Sequence, residues 1–216
     1  MILDDNPKTS MFGQMFWAEA RPNDNGQPYY WPHETGWIDL TSDWNKSIRK
    51  SYRSLINWGK KNMAVNCICG EYSHEFGNYT QFHKDIAGRS TRSAASWDLQ
   101  WMEVANGRGE LIMGRWNNEL VAGAVFIDGK KVCVYWSAVY ERKYFDKPLA
   151  HYTLWLAINH AQKRGLKWFE LGGIPKQGLT TDKEYQIGYF KRGFATHIVP
   201  DGVNPLTDDV AEFRRE

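Results

Sequence analysis

From Trp37 onward the apolar positions fall into alternating strand and helix periods, whereas residues 1–36 are rich in Asn, Pro, Gly and Asp and hold no sustained period. That first stretch therefore reads as an irregular lead-in carrying a few docked aromatics. Trp37-Ile38-Asp39-Leu40 predicts a short strand, Thr41-Ser42-Asp43 a helix N-cap, and Ile48, Tyr52, Leu55 and Ile56 one apolar helix face running to Lys61. Ala64 to Cys69 reads as a strand. Helices follow over about Glu75–Ile86 and Ser96–Asn106, parted by Gly88-Arg89-Ser90-Thr91-Arg92-Ser93, which is too rich in Gly and Ser to stay helical. Three strands, Glu110–Trp116, Leu120–Ile127 and Lys131–Val139, are joined at Asn117-Asn118 and Asp128-Gly129. Those dipeptides favour the positive φ of tight hairpins and predict an antiparallel meander. Pro148 then opens a helix that is apolar on most sides and hence expected to be buried. It closes at Lys163-Arg164-Gly165 with cations and a C-cap glycine. Trp168-Phe169-Glu170-Leu171 is a strand expected to stop at Gly172-Gly173, Tyr185 to Phe194 is aromatic and basic, and Thr196–Val199 is a last strand. A polar tail from residue 201 could carry a short helix ending in Arg214-Arg215-Glu216.

Composition adds bounds. At 216 residues, 42% hydrophobic and 24% charged, the chain is expected to form one compact domain over 37–200, and disordered or collagen-like classes are excluded. No apolar run approaches the roughly 18–20 residues of a membrane span, and the acidic Asp4-Asp5 start is unlike a signal peptide, so a cytoplasmic location is expected. A net charge of +2 sets up no global field for a polyanion, so any such partner needs a local patch. Cys67, Cys69 and Cys133 lie in apolar stretches and are expected to be buried thiols. With no CxxC pair and six scattered histidines, no metal is implied. Much of the 15% aromatic content, with 11 Trp, must be core, and some could form a stacking surface for a sugar or base.

Helices, a three-strand meander, a buried helix and a further strand make an α+β sheet in which the strand after the crossover helix lies parallel to the last meander strand. A ligand crevice is expected where that crossover helix begins. Three segments carry a family resemblance: Trp37-Ile38-Asp39-Leu40 leading into Ser47-Ile48-Arg49-Lys50-Ser51-Tyr52-Arg53; Gly88-Arg89-Ser90-Thr91-Arg92-Ser93; and Phe169-Glu170-Leu171-Gly172-Gly173 with Tyr189-Phe190-Lys191-Arg192-Gly193-Phe194. From about Trp37 to Val199 the chain resembles the Fem-type peptidyltransferases and the related BioF2-like acyltransferase domains of the GNAT superfamily. It resembles the second of the two GNAT-like halves that typical Fem-type enzymes carry. The resemblance implies the GNAT fold, a mixed and mostly antiparallel sheet flanked by helices. It implies acyl or aminoacyl transfer to an amine, with acyl-CoA or aminoacyl-tRNA as donor and no permanently bound cofactor. Where acetyl-CoA-dependent relatives carry a glycine-rich donor loop, this chain has Arg142-Lys143-Tyr144-Phe145-Asp146-Lys147-Pro148-Leu149-Ala150, with cations but no glycine. A helix N-terminus there still offers N–H groups to an anion.

The resemblance makes Lys191 the leading catalytic residue, a charge facing the oxyanion; the competing reading is a surface lysine. Glu170, at the end of its strand, could take the amine proton or hold the amine, or be simply a hydrogen-bonded strand carboxylate. Arg142, Lys143 and Lys147 at the helix start are donor-phosphate candidates. So are Arg49, Lys50 and Arg53, which with Lys46 and Lys60 form a basic stripe able to follow tRNA or nucleotide phosphates. Arg89 and Arg92 in their Gly/Ser segment could grip an acceptor phosphate or carboxylate, or pair with an acidic neighbour. Tyr185 and Tyr189, one helical turn apart, could orient the acceptor or serve as packing. His151 reads as structural. The function expected is amide formation on an amine-bearing cell-wall or glycan precursor, with tRNA as a possible partner and a homodimer or second GNAT-like subunit standing in for the missing half. The alternative is a non-catalytic glycan- or RNA-binding module on the same fold.

Overall fold

A computed structural model describes residues 33–175, 181–200 and 203–215. Its strands take the order β2-β3-β4-β5-β6-β1-β7 in a mixed seven-stranded sheet. In chain order the elements are β1 (His33–Asp39), α1 (Trp44–Ser47), α2 (Lys50–Asn62), β2 (Ala64–Ile68), α3 (Glu75–Ala87), α4 (Ala94–Ala105), β3 (Gly109–Trp116), β4 (Glu119–Asp128), β5 (Val132–Tyr140), α5 (Leu149–Lys163), β6 (Trp168–Pro175), α6 (Asp182–Arg192) and β7 (His197–Pro200). Short 3-10 turns lie at Arg142–Tyr144 and Ala211–Phe213. The GNAT-like arrangement expected from the element order is present: β3 and β4 pair antiparallel, and β5 and β6 pair parallel, Val132–Val134 against Trp168–Glu170.

The chain resolves into two compact units. One comprises the described residues up to Lys50 with Gly129–Val134 and those from Gly165 on; the other comprises Ser51–Asp128 and Tyr135–Arg164. In the first, β1 lies between β6 and β7, antiparallel to both. Its apolar centre is Trp37, Val132, Val199 and Val210, with Trp168, Val203, Leu206 and Phe213 packed around it. The tail is thereby docked, and Arg215 donates to the carbonyls of Ser47 and Arg192. In the second unit, Met63, Val121, Ala122 and Leu149 form a cluster with Trp58, Trp116, Tyr144 and Tyr152 against it. Buried carboxylates are tied by arginines: Glu75 on α3 to Arg115 on β3 at 2.8 Å, and Glu103 to Arg108 at 2.7 Å. A string of hydroxyls, Tyr79 to Ser137 (2.6 Å) and Tyr135 to Tyr140 (2.8 Å), fills the polar interior. No residue of α5 from Leu149 to Ala161 is exposed, as its all-round apolar character predicts.

Several expectations are corrected. Residues 33–36 belong to β1 rather than to an irregular lead-in: flanked by β6 and β7, they are held by main-chain bonds that need no apolar alternation. Residues 1–32 lie outside the described residues. The single helix expected to Lys61 is two, because Ile48 is extended (ψ 134) and buried, and the Arg49 amide bonds to Gly193 O at 2.9 Å. Asp43 caps α1 by position without a side-chain bond to its amides; its carboxylate pairs with Lys46 at 2.9 Å. At the first hairpin Asn117 (φ 51) and Asn118 (φ 65) take the left-handed conformation expected of them. Gly129 does not, its amide reaching Val132 O at 2.7 Å across a longer turn. Strand β6 runs through Gly172-Gly173 to Pro175 instead of stopping there. Cys67 and Cys69 are exposed; only Cys133 is the buried thiol expected of all three.

Candidate active site

The continuation of β6 through its glycines shapes the site. Opposite β1 the register passes from Gly36↔Gly172 to Trp37↔Glu170, so Leu171 is an extra residue and the strand bulges. Gly172 sits there at φ 75, a conformation that side-chain-bearing residues rarely adopt. The bulge breaks the two-residue alternation between Glu170 and Gly173.

Helix α6 crosses against this end of β6. It starts on a capping box, with Thr181 Oγ1 accepting from the Glu184 amide and the Glu184 carboxylate accepting from the Thr181 amide at 2.9 Å. Gly188 sets its distance from the strand: a Cβ there would stand 3.1 Å from Pro175 Cδ and O and 3.2 Å from Pro175 N. One turn later Lys191 reaches back over the bulge. Its Nζ donates to Gly173 O at 3.1 Å, and a Cβ on Gly172 would lie 3.4 Å from it. Burial pushes the ammonium down to about 8, against the opposing pull of Glu170 on β6. Near neutrality Lys191 is thus mostly charged. Gly173 O takes one of its three protons, and the others can meet an oxyanion. The helix end is fixed from behind by Arg192, whose guanidinium pairs with Glu34 on β1 at 2.5 Å.

Of the residues singled out from sequence, Lys191 and Glu170 come together over the bulge, while Tyr189 and Arg49 meet each other as a separate pair in the same unit. The Arg49 guanidinium lies 3.9 Å over the ring of Tyr189 and donates to its carbonyl at 3.3 Å. Tyr185, one turn earlier on α6, is half-buried. The basic stripe is not one helix face: Lys46 is on α1, Arg49 in the break, and Lys60 is 3.6 Å over Trp155. Lys50 and Arg53 are exposed on α2. In the other unit Lys143 pairs with Glu119 and Lys147 with Asp146, both at 2.7 Å, beside the exposed Arg142. Arg89 is exposed, whereas Arg92 is half-buried, its guanidinium 5.2 Å over Trp97, where its charge and above all burial push His83 down to about 4. The α4 N-terminus beside them is occupied by Ser93, whose Oγ accepts from the Ser96 amide.

Two features escaped sequence reasoning. Gly188 looked like any helical glycine, since only its distance to Pro175 shows its role. Histidine spacing likewise hid a cluster of Cys67, Glu110 and His160, drawn from two strands and a helix, whose ligand atoms lie within 4.8 Å of one another.

No curated relative matches the chain in sequence. Among solved structures the chain is similar to FemX, at TM-score 0.62 and 13% identity over 80% of this chain and 61% of that one. It is similar to L-PGS from Bacillus licheniformis, at TM-score 0.55 and 14% identity over 79% and 59%. A third is the C-terminal domain of a putative lysylphosphatidylglycerol synthetase from Agrobacterium fabrum, at TM-score 0.54 and 14% identity over 79% and 59%. The chain therefore spans less than two thirds of the length of each. Among the described residues no helix is long and apolar enough to cross a membrane. The acetyltransferase (GNAT) domain family matches residues 46–186, which take in Glu170 and end just before Lys191. By that match the chain belongs to the GNAT acetyltransferase-domain family.

Proposed function

We propose that this chain is an acyltransferase that forms an amide on an amine-bearing cell-wall or glycan precursor, with Lys191 stabilising the oxyanion. The observation that carries the reading is Lys191 Nζ, held at 3.1 Å by Gly173 O over the β6 bulge and kept near a pKa of about 8 with Glu170 as its charged neighbour. The acceptor nitrogen attacks the donor carbonyl carbon, and the negative charge that gathers on oxygen meets the Lys191 ammonium. Glu170 takes the proton lost by nitrogen, and the donor's thiolate or ribose oxygen leaves, taking a proton as it goes. Tyr185 and Tyr189, one turn apart on α6, are the candidates to orient the acceptor, and Arg49, a donor-phosphate candidate, stacks on Tyr189. Taken by itself, the other unit offers exposed cations to an anionic group at Arg53, Arg89 and Arg142, while Lys143 and Lys147 are already paired with Glu119 and Asp146.

Both donor classes fit this chemistry: acyl-CoA, used across the GNAT fold, and aminoacyl-tRNA, favoured by the resemblance to Fem-type enzymes and by the lack of a glycine-rich donor loop. The test is a transfer assay with the purified chain, offering radiolabelled acetyl-CoA and aminoacyl-tRNA in turn to amino-sugar and peptidoglycan-precursor amines. Amide product from either donor supports the reading. Donor hydrolysis alone, or acylation of hydroxyl acceptors alone, contradicts it.

A further inference from the structure

The cluster of Cys67, Glu110 and His160 stands outside the proposed active-site machinery, and its three side chains come from three elements. Cys67 is on β2, where it pairs with Ile112 of β3, so its side chain shares a face with Ile112 and, by the two-residue alternation, with Glu110. His160 descends onto that face from the last turn of α5, and its Nδ1 lies 2.7 Å from Glu110 Oε1. All three ligand atoms are within 4.8 Å of one another. Glu110 is 3% exposed, a carboxylate that has no place in an interior unless it is held. Its other oxygen faces the Arg164 guanidinium at 3.4 Å, and Arg164 is itself fixed by Asp128 at 2.6 Å.

We infer that Cys67, Glu110 and His160 bind one zinc-class divalent ion. Thiolate, imidazole and carboxylate are the three ligand types of tetrahedral zinc sites, and open sites of this kind use three protein ligands with water in the fourth position. Bond lengths of ~2.0–2.3 Å place tetrahedral ligand atoms roughly 3.3–3.8 Å apart, inside the span of this cluster. The ion replaces the His160–Glu110 hydrogen bond with two coordinate bonds, while Arg164 continues to orient the far carboxylate oxygen, as outer partners of metal ligands do. Access is open: Cys67 is exposed and the His160 side chain is 28% exposed, so both an entering ion and its water reach the site from solvent. Bound there, the ion ties strand β2, at the end of the strand order, and helix α5 to β3, linking segments distant in sequence. Cys69 lies one residue beyond β2 and serves as the internal control, being a second exposed thiol outside the cluster.

The test is a cobalt(II) titration of the metal-free full chain, followed by zinc displacement. The expected result is a near-ultraviolet thiolate-to-cobalt band that saturates at one equivalent and is bleached by zinc. It should disappear in Cys67→Ser, fail to develop at the same cobalt concentrations in His160→Ala, and persist in Cys69→Ser. Thermal melts of the metal-free variants, matching that of the parent, separate ligand loss from misfolding. Failure of the parent chain to bind cobalt saturably, or a band that survives Cys67→Ser, overturns the inference and leaves Glu110, His160 and Arg164 as a structural ion network.

Discussion

Lys191 combines two properties that pull against each other: a pKa lowered to about 8 by burial, and a proposed role that needs the charge. The lowered value means that the folded state disfavours the protonated lysine. Stability is therefore reduced below about pH 8 and recovers as pH rises toward 10.5, the ordinary lysine value. In catalysis the sign is opposite, since kcat/KM should fall as pH rises through about 8 and the ammonium discharges. Lys191→Arg keeps its charge to far higher pH, so the alkaline fall in the pH–rate profile should vanish even if the rate is lower. An unchanged alkaline limb in that variant assigns the titration to another group. Glu75 shows ordinary carboxylate linkage. Burial pushes its pKa up, but hydrogen bonds from Asn78 and Arg115 outweigh that and hold it below 4.5. Its contribution is complete above the unfolded value and is lost as pH falls through the folded one. Glu75→Gln should cost about 1–3 kcal/mol at pH 7 and flatten the acid limb of a stability–pH curve measured by urea unfolding.

At the scale of elements, the β6 bulge and helix α6 must keep their separation for Lys191 to reach Gly173 O. Gly188→Ala places a methyl group 3.1 Å from Pro175 backbone and ring atoms, none of which is the end of a flexible side chain. Helix α6 has to move outward by a few tenths of an ångström. Alanine's helix preference, worth about 1 kcal/mol, offsets much of the strain, so the melting temperature should change little. Steady-state kinetics should instead show kcat reduced about tenfold or more with a smaller change in KM. A normal kcat in Gly188→Ala shows that the spacing is not critical. The elements themselves were largely legible, because their cues are local: Asn117-Asn118 at the hairpin, Pro148 and Gly165 around α5, and the Gly/Ser-rich break from Gly88 to Ser93 between α3 and α4. What escaped depends on partners far along the chain. Ile48 breaks a helix because Gly193 O captures the next amide. Strand β6 continues past two glycines because β1 pairs with it. Of the site, Lys191 and Glu170 were readable through a family pattern. The pairing of Lys143 and Lys147 with Glu119 and Asp146 was not, since a linear sequence gives each cation without its counter-ion.

For the molecule as a whole, the family match sets the chain in the GNAT acetyltransferase-domain family, while its span of 61% of FemX leaves both activity and donor to direct assay. Acetyl-CoA binding only the folded state at about 100 times its Kd should add about 2.7 kcal/mol, visible as a saturable rise in melting temperature. A saturable rise selects acyl-CoA; no rise directs the transfer assay to aminoacyl-tRNA. The central claim is narrower than donor identity: Lys191 carries the charge that the transition state needs. Lys191→Met preserves the aliphatic stem and removes the ammonium, and its turnover with the donor that the transfer assay selects is the measurement to make. A fall in kcat of about 10²–10³-fold, with a melting temperature at pH 7 that is unchanged or higher, is the predicted result. Turnover equal to that of the parent chain contradicts the account.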